Sequence, residues 1–432
     1  MNKEQIFAQE LIDFVSNSTC SFYAVKTIKQ TLLKNNFVEL DLKNSWDLEK
    51  EGKYFITKND SAIIAFVVGN GEIERDGFKI VGAHTDSPSI KIKPNPESLK
   101  AGCLVLNTEP YGGPIINTWF DRPLSLAGRV ALKSDDILNP EYRFIDFRRP
   151  LLMIPNLAIH FNRKVNEGVA INPQKELIPI LSMIDDELNK DDYLLKMIAE
   201  ELTVDVQDIL DVELLTYEFE KGCLLGANEE FISCGRLDDL AMVHAGLEAL
   251  VNSKPSRATN VLVCFDNEEI GSSTRQGANS PLLRNLLERI TLELGKSKVE
   301  YLRCIENSFL ISSDMAQAVH PNYAEKYDPS AQCIINKGPT VKISAKYSYS
   351  SDGDTISVFE QLCKKAQVPC QKFVNRSDER GGMTIGPITA SNLGIRIVDV
   401  GNPMLAMHSI REFAGVYDHY YIKEVFKEFY NL

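Results

Sequence analysis

Asn-Val-Leu-Val-Cys-Phe at residues 260–265 runs directly into Asp-Asn-Glu-Glu-Ile-Gly at residues 266–271, and this stretch decides the fold class. The apolar run predicts a buried strand, and the adjacent carboxylates Glu268 and Glu269 follow it. Burying two negative charges is costly unless something binds them, and a divalent cation is the usual solution. One carboxylate can then bind the metal while its neighbour transfers a proton, as metal-assisted hydrolysis requires. On its own the pair is weak evidence, because most Glu-Glu pairs are solvated.

Four other stretches repeat this arrangement, each placing a His, Asp or Glu just after an apolar strand or at the start of a helix. Predicted strands at 78–83, 309–313 and 395–400 precede three of them, and residues 235–240 open a predicted helix. In open α/β sheets, sites form outside the carboxyl ends of the strands. Nitrogen and oxygen donors of these types suit two divalent metal ions. The candidate residues are His84, Asp238, Glu268, Glu269, Asp314 and His408.

In these five stretches the sequence resembles the M18 family of aminopeptidases, the aspartyl aminopeptidase group, within the clan of di-metal exopeptidases. The resemblance extends over residues 78–412, with the motifs in the family's order. It implies a mixed-sheet α/β catalytic domain that removes N-terminal residues from peptides. It also implies two divalent metal ions per subunit, usually zinc, with cobalt or manganese as alternatives. The implied metal ligands are His84 and Asp314 for one ion, Glu269 and His408 for the other, and Asp238 as the bridge.

The resemblance also implies which residues carry out catalysis. Glu268 would be the general base, and Asp86 would orient a metal-binding histidine. His160, in the motif at 154–160, would reach from a neighbouring subunit and contact the scissile carbonyl. A lone histidine beside apolar residues is usually structural, so only the motif favours a function for His160. Related exopeptidases have a cis peptide after the bridging aspartate, so one is expected at Asp238–Asp239.

Substrate selectivity is harder to predict. Lys342 and Tyr349 match family positions near the side chain of the substrate. A lysine there suits acidic N-terminal residues through a charge-assisted contact. The loop at 376–383 also resembles the family, but Glu379-Arg380-Gly381 departs from the form associated with acidic specificity. Some family members prefer neutral residues such as leucine, so acidic preference is only slightly favoured and the neutral alternative stays open.

Composition is that of an ordinary globular protein of more than one domain. The chain has 432 residues, of which 44% are hydrophobic and 25% charged. A chain of this length is too long to fold around a single hydrophobic core, so we expect two domains. A net charge of −13 argues against a nucleic-acid partner, since such partners favour basic surfaces. There is no signal-peptide pattern and no apolar run of about 18 residues, so we expect no membrane association. Nine scattered cysteines without a CxxC pair suggest reduced thiols in a cytoplasmic protein.

The spacing of the candidate residues indicates an interrupted domain. After the first strand-and-ligand unit, a long stretch contains none of them before Asp238. The first part of this stretch is rich in β-branched and turn residues, whereas 176–215 has apolar residues at helical spacing. We therefore predict a catalytic domain formed by 1–91 and 236–432 with a β-rich insert at 92–235. By resemblance, the insert is the dimerisation domain of a homo-oligomer, a tetrahedral dodecamer.

Two rival functions stay open at this point. A non-catalytic scaffold that inherited this fold would have no need for a base beside a metal ligand, so the presence of Glu268 disfavours it. A di-metal deacylase or carboxypeptidase of the same clan would differ in its product. It would release acyl groups or C-terminal residues, whereas an aminopeptidase releases free N-terminal amino acids from peptide substrates.

Overall fold

The computed structural model describes residues 1–183, 192–379 and 381–432, which form two compact units. The first unit comprises Met1–Asp86, Gly222–Met407 and Glu412–Leu432. The second unit comprises Ser87–Lys221 and His408–Arg411. No helix in the described ranges is long and apolar enough to cross a membrane.

The described residues contain strands and helices in both units. The strands are β1 Val38–Glu39, β2 Lys53–Lys58, β3 Ala62–Val67, β4 Phe78–His84, β5 Ser89–Lys100, β6 Cys103–Tyr111, β7 Leu124–Leu132, β8 Glu141–Asp146, β9 Ile180–Met183, β10 Ile209–Glu218, β11 Cys223–Leu225, β12 Phe231–Cys234, β13 Thr259–Phe265, β14 Phe309–Ser313, β15 Ala316–Gln317, β16 Thr340–Ile343, β17 Gln371–Val374, β18 Arg396–Gly401, β19 Pro403–Leu405 and β20 Glu412–Gly415. The α-helices are α1 Lys3–Asn17, α2 Ser21–Lys34, α3 Ile73–Asp76, α4 Pro173–Glu176, α5 Tyr193–Leu202, α6 Leu237–Val251, α7 Leu282–Glu293, α8 Lys298–Glu306, α9 Gly353–Ala366, α10 Ile385–Leu393 and α11 Val416–Tyr430.

The first unit is built on a nine-stranded sheet in the order β1-β2-β3-β13-β4-β14-β18-β16-β17. Its centre, β13-β4-β14-β18, is parallel, whereas β3 pairs antiparallel with β13 and β16 antiparallel with β18. The four apolar runs predicted as strands are confirmed as these four central strands. The predicted fold class, α/β with a mixed sheet, is confirmed.

Apolar side chains of the central strands contribute to two separate clusters. In β13, Leu262 and Cys264 belong to one cluster, while Val261, Val263 and Phe265 belong to the other. This alternation follows from the two-residue repeat of a strand, in which successive side chains point to opposite faces. All seven residues of β13 are buried. Burial on both faces explains why residues 261–265 are all apolar and why the charged residues of this stretch come only after the strand ends.

A pair of buried histidines packs among α1, α6 and α11 in the first unit. His244 Nδ1 and His419 Nε2 are 3.0 Å apart. The Phe7 ring stacks on His419 at 4.6 Å between centroids and lies tilted against His244 at 4.8 Å. Burial lowers the pKa of His244 to about 3, with a further contribution from the positive charge of Lys423. Burial likewise holds the pKa of His419 well below 6.5. Both are neutral core residues at neutral pH.

Acid is expected to destabilise the protein through this pair. Below about pH 6.5 the unfolded chain binds protons that the folded pair does not, so the free energy of unfolding falls as pH falls. Replacing His419 by Gln removes one of these groups. The slope should then decrease by about 0.7 kcal/mol per pH unit at pH 6.5, where the unfolded histidine is half protonated, and by about 1.4 at pH 5. Urea unfolding at several pH values measures this, with His320→Gln, at a partly exposed histidine, as the control. Equal slopes in His419→Gln and the parent protein would contradict the expectation.

The second unit contains a six-stranded sheet in the order β8-β7-β10-β5-β6-β9. All its strand pairs are antiparallel. The predicted β-rich character of the first part of this stretch is therefore observed. A cluster of buried residues that includes Leu106, Leu126 and Leu214 forms its own core.

The helical prediction for residues 176–215 is correct only in part. Residues 193–202 form α5, but 180–183 form β9 and 209–218 form β10. The β10 strand lies between β7 and β5, with Leu214 fully buried. Pairing on both edges outweighs the local pattern, because strand preference depends on neighbouring strands more than helix preference does. Part of the predicted stretch, residues 184–191, lies outside the described residues.

Candidate metal centre

The carboxyl ends of the central strands lie at one edge of the nine-stranded sheet. Phe265 of β13 lies opposite His84 of β4, and Ser313 of β14 lies opposite Val400 of β18. The strands are parallel, so each of them delivers its following residues to the same edge. The register therefore accounts for the convergence of candidate residues that are far apart in the chain.

His84, Asp238 and Asp314 form a buried cluster at this edge. His84 Nε2 is 3.3 Å from Asp238 Oδ1 and 3.9 Å from Asp314 Oδ1. Asp239 joins the same cluster, and the donor atoms of the four residues lie within 4.8 Å of one another. The peptide bond between Asp238 and Asp239 is cis, as predicted. The cluster thus brings together three predicted ligands and one carboxylate that was not predicted.

Glu268 and Glu269 lie in a short 3-10 helix, Glu268–Ile270, that follows β13. Their backbone N–H groups donate to the two carboxylate oxygens of Asp86, at 3.1 and 3.2 Å. Asp86 Oδ1 is also 3.4 Å from His84 Nδ1. Donor atoms of His84, Glu268 and Glu269 lie within 4.8 Å of one another. Asp86 therefore contacts both the glutamate turn and the imidazole that it was predicted to orient.

Negative charge dominates this buried region. Burial lowers the pKa of His84, but hydrogen bonds to Asp238, Asp314 and Asp86 outweigh it and hold the pKa well above 6.5. Burial raises the pKa of Glu268 to about 8, and the charges of Asp314, Asp238 and Asp86 add to this effect against the opposing charge of His84. Like charges held together out of water favour any bound cation.

The residues present fit a zinc ion. Zinc is bound in proteins by histidine nitrogens and carboxylate oxygens, and the cluster offers both. Asp239 Oδ2 accepts the His84 backbone N–H at 3.1 Å, while Asp239 Oδ1 is buried without a hydrogen-bond partner among the described residues. A buried acceptor of this kind is costly unless a donor or a cation satisfies it. The donor chemistry and the buried charge thus agree with a metal centre.

The M18 family model, described as aminopeptidase I zinc metalloprotease, matches residues 14–430. The chain belongs to the M18 family of aminopeptidases. This M18 aminopeptidase is therefore a metallopeptidase of a zinc-dependent family, and the predicted enzyme class is confirmed.

Similar proteins span nearly the whole M18 chain. A protein named probable M18 family aminopeptidase 2 from Clostridium novyi (strain NT) is 58% identical over 427 residues, which is 99% of each chain. A cryo-EM structure described as the Ape4 and Nbr1 complex has a TM-score of 0.95 at 37% identity, covering 99% of this chain and 86% of that one. A structure described as the S. cerevisiae mApe1 dodecamer has a TM-score of 0.85 at 27% identity, covering 99% and 97%.

In this M18 aminopeptidase one predicted substrate-binding residue, Lys342, contacts a predicted metal ligand, and the other, Tyr349, lies near Lys342. Lys342 of β16 is buried, and its Nζ is 3.2 Å from Asp314 Oδ2. The same Nζ is 5.6 Å from the ring centroid of Tyr349. The ion pair with Asp314 was not predicted. Arg380, in the part of the 376–383 loop that departs from the family form, lies outside the described residues.

The other two predicted histidines belong to the second unit. His408 Nδ1 lies 3.1 Å from the Gly113 carbonyl oxygen, and the Ile115 N–H donates to the His408 carbonyl at 2.9 Å. An Nδ1–H that donates to a carbonyl leaves Nε2 with the lone pair that a metal ligand needs. His160 is exposed, and the neighbouring Phe161 is 82% exposed. The metal-binding role of His408 and the catalytic role of His160 stay predictions.

Two residues near the metal centre escaped the sequence analysis. Asp239 follows Asp238 directly, so the sequence could have predicted that it lies near the site. Glu412 lies in β20, opposite Cys234 of β12, and its Oε2 accepts the Asp238 N–H at 3.1 Å. In the sequence, only the position of Glu412 shortly after the His408 motif indicates this role. Glu412 thus contacts the backbone of Asp238, and Asp239 contacts that of His84, through hydrogen bonds that only folding creates.

Proposed function

We propose that this M18 aminopeptidase removes N-terminal residues from peptides at a two-metal centre with Glu268 as the general base. The observation that carries the proposal is the convergence of His84, Asp238 and Asp314 with the Glu268–Glu269 turn at one edge of the sheet. In this assignment His84 and Asp314 would hold one ion, and Asp238 would be shared with a second. By resemblance, Glu269 and His408 would also hold this second ion.

The reaction is divided between the bound ions and the side chains. The chemistry that zinc supplies when bound is Lewis acidity, which polarises a carbonyl and acidifies water. The Glu268 carboxylate accepts the proton from the water that attacks the peptide carbonyl, then delivers it to the leaving amine. Asp86 keeps this carboxylate in place through the N–H groups of the glutamate turn. His160 of a neighbouring subunit supplies a hydrogen bond to the developing oxyanion.

Selectivity for acidic N-terminal residues is proposed to come from Lys342 and Tyr349. The support is their location, because Lys342 is close to both Asp314 and the Tyr349 ring. A buried ammonium group can pair with the carboxylate of a substrate Asp or Glu more strongly than an exposed one. The ion pair between Lys342 and Asp314 competes with this role, so a neutral preference is the alternative.

A panel of aminoacyl-nitroanilides, assayed after chelation and re-addition of zinc, cobalt or manganese, tests the proposed function. We expect free amino acids as products and a larger kcat/KM for aspartyl and glutamyl than for leucyl substrates. Lys342→Met should lower kcat/KM for acidic substrates by about 10- to 100-fold, the value of one charge-assisted hydrogen bond. Lys372→Met, at an exposed lysine of β17, is the control. Metal analysis of Lys342→Met separates lost substrate binding from loss of the Asp314 ion.

The outcomes of this panel distinguish the alternatives. A leucyl preference that Lys342→Met leaves unchanged would refute acidic selectivity. Release of acyl groups or C-terminal residues would favour a deacylase or carboxypeptidase. Absence of hydrolysis with any metal would favour a scaffold.

Assembly is part of the proposed function. The chain forms a homo-oligomer, a tetrahedral dodecamer, through the insert at 92–235, while 1–91 and 236–432 form the catalytic domain. One similar structure is described as a dodecamer of mApe1. In the second unit, Ile137 and Leu138 are 91% and 89% exposed. Large exposed apolar side chains next to one another are typical of interaction surfaces.

A further inference from the structure

Asp399 of β18 is a fully buried carboxylate that joins three separate segments of the first unit. Ser312 Oγ and Thr384 Oγ1 both donate to its Oδ1 at 2.6 Å. The Ser350 backbone N–H donates to its Oδ2 at 2.5 Å. Ser351 adds a fourth contact, because the Asp399 N–H donates to its hydroxyl oxygen at 2.9 Å. One side chain thereby fixes the positions of all three segments.

Each of these segments carries or adjoins a residue of the candidate site. Ser312 lies two residues before Asp314, and Ser350 follows Tyr349 directly. Thr384 caps α10 immediately after the loop at 376–383. A buried carboxylate is costly, and a neutral or apolar residue would avoid that cost. The arrangement therefore indicates a positional role for this carboxylate.

Ser350 has a hydroxyl group that its surroundings do not use. Its Oγ is buried and has no hydrogen-bond partner within the described part of the chain. Such groups are rare in folded proteins and need a missing donor, acceptor or ligand. The adjoining Tyr349 ring is 5.6 Å from Lys342 Nζ, which is itself 3.2 Å from Asp314. A chain of contacts thus leads from the neighbour of Ser350 to the proposed metal centre.

We propose that the Ser350 hydroxyl donates a hydrogen bond to the acidic side chain of the substrate's N-terminal residue, and that Asp399 is the positioning residue for this contact. The inference rests on the proposed acidic selectivity, which it deepens by adding a neutral donor beside the Lys342 ammonium group. A hydroxyl donor and an ammonium group together match the two oxygens of a carboxylate. Asp399 holds the Ser350 backbone through the hydrogen bond from its N–H, and its negative charge also acts on the Lys342 ammonium group.

The first test compares Ser350→Ala with Ser18→Ala in the zinc-loaded full chain. Ser18 Oγ is also buried and without a partner among the described residues, but Ser18 ends α1 outside the candidate site. For Ser350→Ala we expect KM for aspartyl-nitroanilide to rise about tenfold or more, with kcat nearly unchanged. KM for the leucyl substrate should change less than about twofold, which is less than the loss of one neutral hydrogen bond would cause. No hydrogen bond among the described residues is lost, so the melting temperature should not fall. Ser18→Ala should leave both substrates unchanged.

A second comparison tests the positioning role. Asp399→Asn keeps the volume but removes the negative charge and one of the two acceptor oxygens, so it can no longer accept from the Ser312 and Thr384 hydroxyls and the Ser350 N–H together, and its hold on the Ser350 segment weakens. We expect a raised KM for aspartyl substrate at retained kcat and zinc content. The matched control is Asp418→Asn, where another buried carboxylate accepts the Asn336 and Gly338 N–H groups at 2.5 and 2.7 Å. That variant should lose stability without a change in the aspartyl-to-leucyl ratio.

These outcomes separate the inference from the function on which it rests. A parent enzyme without acidic preference would refute the proposed selectivity and this inference with it. A selective parent enzyme whose selectivity survives Ser350→Ala would refute the inference alone and indicate a water molecule on the hydroxyl. Equal losses on both substrates in Ser350→Ala would also refute it, since they indicate structural damage.

Discussion

Glu268→Gln is expected to bind its metal ions and to lose three or more orders of magnitude in kcat, toward the upper part of the roughly 10² to 10⁴ attributed to general acid–base catalysis. Glutamine has the shape of glutamate but cannot accept the proton of the attacking water. The backbone N–H of residue 268 still donates to Asp86, so the turn should keep its position. Steady-state kinetics with elemental analysis of the same samples measures both properties.

The neighbouring glutamate is a matched control for this variant. Glu269→Gln changes the same functional group in the same turn, held by the same aspartate. If Glu269 is a ligand, its substitution should lower metal content, and Asp238→Ala should do so as well. Near-normal turnover in Glu268→Gln would remove Glu268 from the mechanism. Loss of metal in Glu268→Gln, with metal retained in Glu269→Gln, would exchange the two roles.

His160→Ala is expected to lower kcat by about 10² to 10³, the loss associated with removal of one oxyanion donor. Because His160 is proposed to act in a neighbouring subunit, mixed oligomers of His160→Ala and Glu268→Gln should regain activity. Some sites in such mixtures combine an intact Glu268 with a partner's intact histidine. Dissociation and reassociation of the two inactive variants, followed by assay of the purified mixed oligomer, measures this restoration.

The controls for the mixing experiment come from the same segment and from the unmixed variants. Asn162→Ala changes a polar residue two positions away and should keep nearly full activity. Each inactive variant reassembled with itself should stay inactive. Full activity in a purified monomer, or no restoration in verified mixed oligomers, would count decisively against catalysis between subunits.

The central part of the fold could be predicted because its strands are buried on both faces. Such strands carry continuous apolar runs, as in residues 261–265 of β13 and 309–311 of β14, so the chain marks their position and the charged residues that follow. Parallel pairing then places those residues at one edge without further information. This is why Asp314 and the Glu268–Glu269 pair could be assigned to one site before any distance was known.

The second unit was harder to predict because its pattern is ambiguous. Residues 209–218 have apolar side chains at a spacing compatible with a helix, yet they form β10 between two partner strands. Local pattern competes there with hydrogen bonding to strands more than 70 residues away in sequence, such as the pairing of Glu213 with Arg129. The residues of a single stretch do not show which distant strands it will pair with.

The sequence by itself determined the family, the apolar strands and the types of metal-binding residue, because these follow from residue order along short stretches. The tertiary structure alone decided the contacts between polar groups at the candidate site. Lys342 pairs with Asp314, Glu412 accepts the Asp238 N–H, and Asp399 accepts the Ser350 N–H. These contacts join residues from different strands and loops that are far apart in the chain. Their energies depend on burial and on distances of about 3 Å, which exist only once the chain has folded. Residue order along a single stretch does not contain those distances.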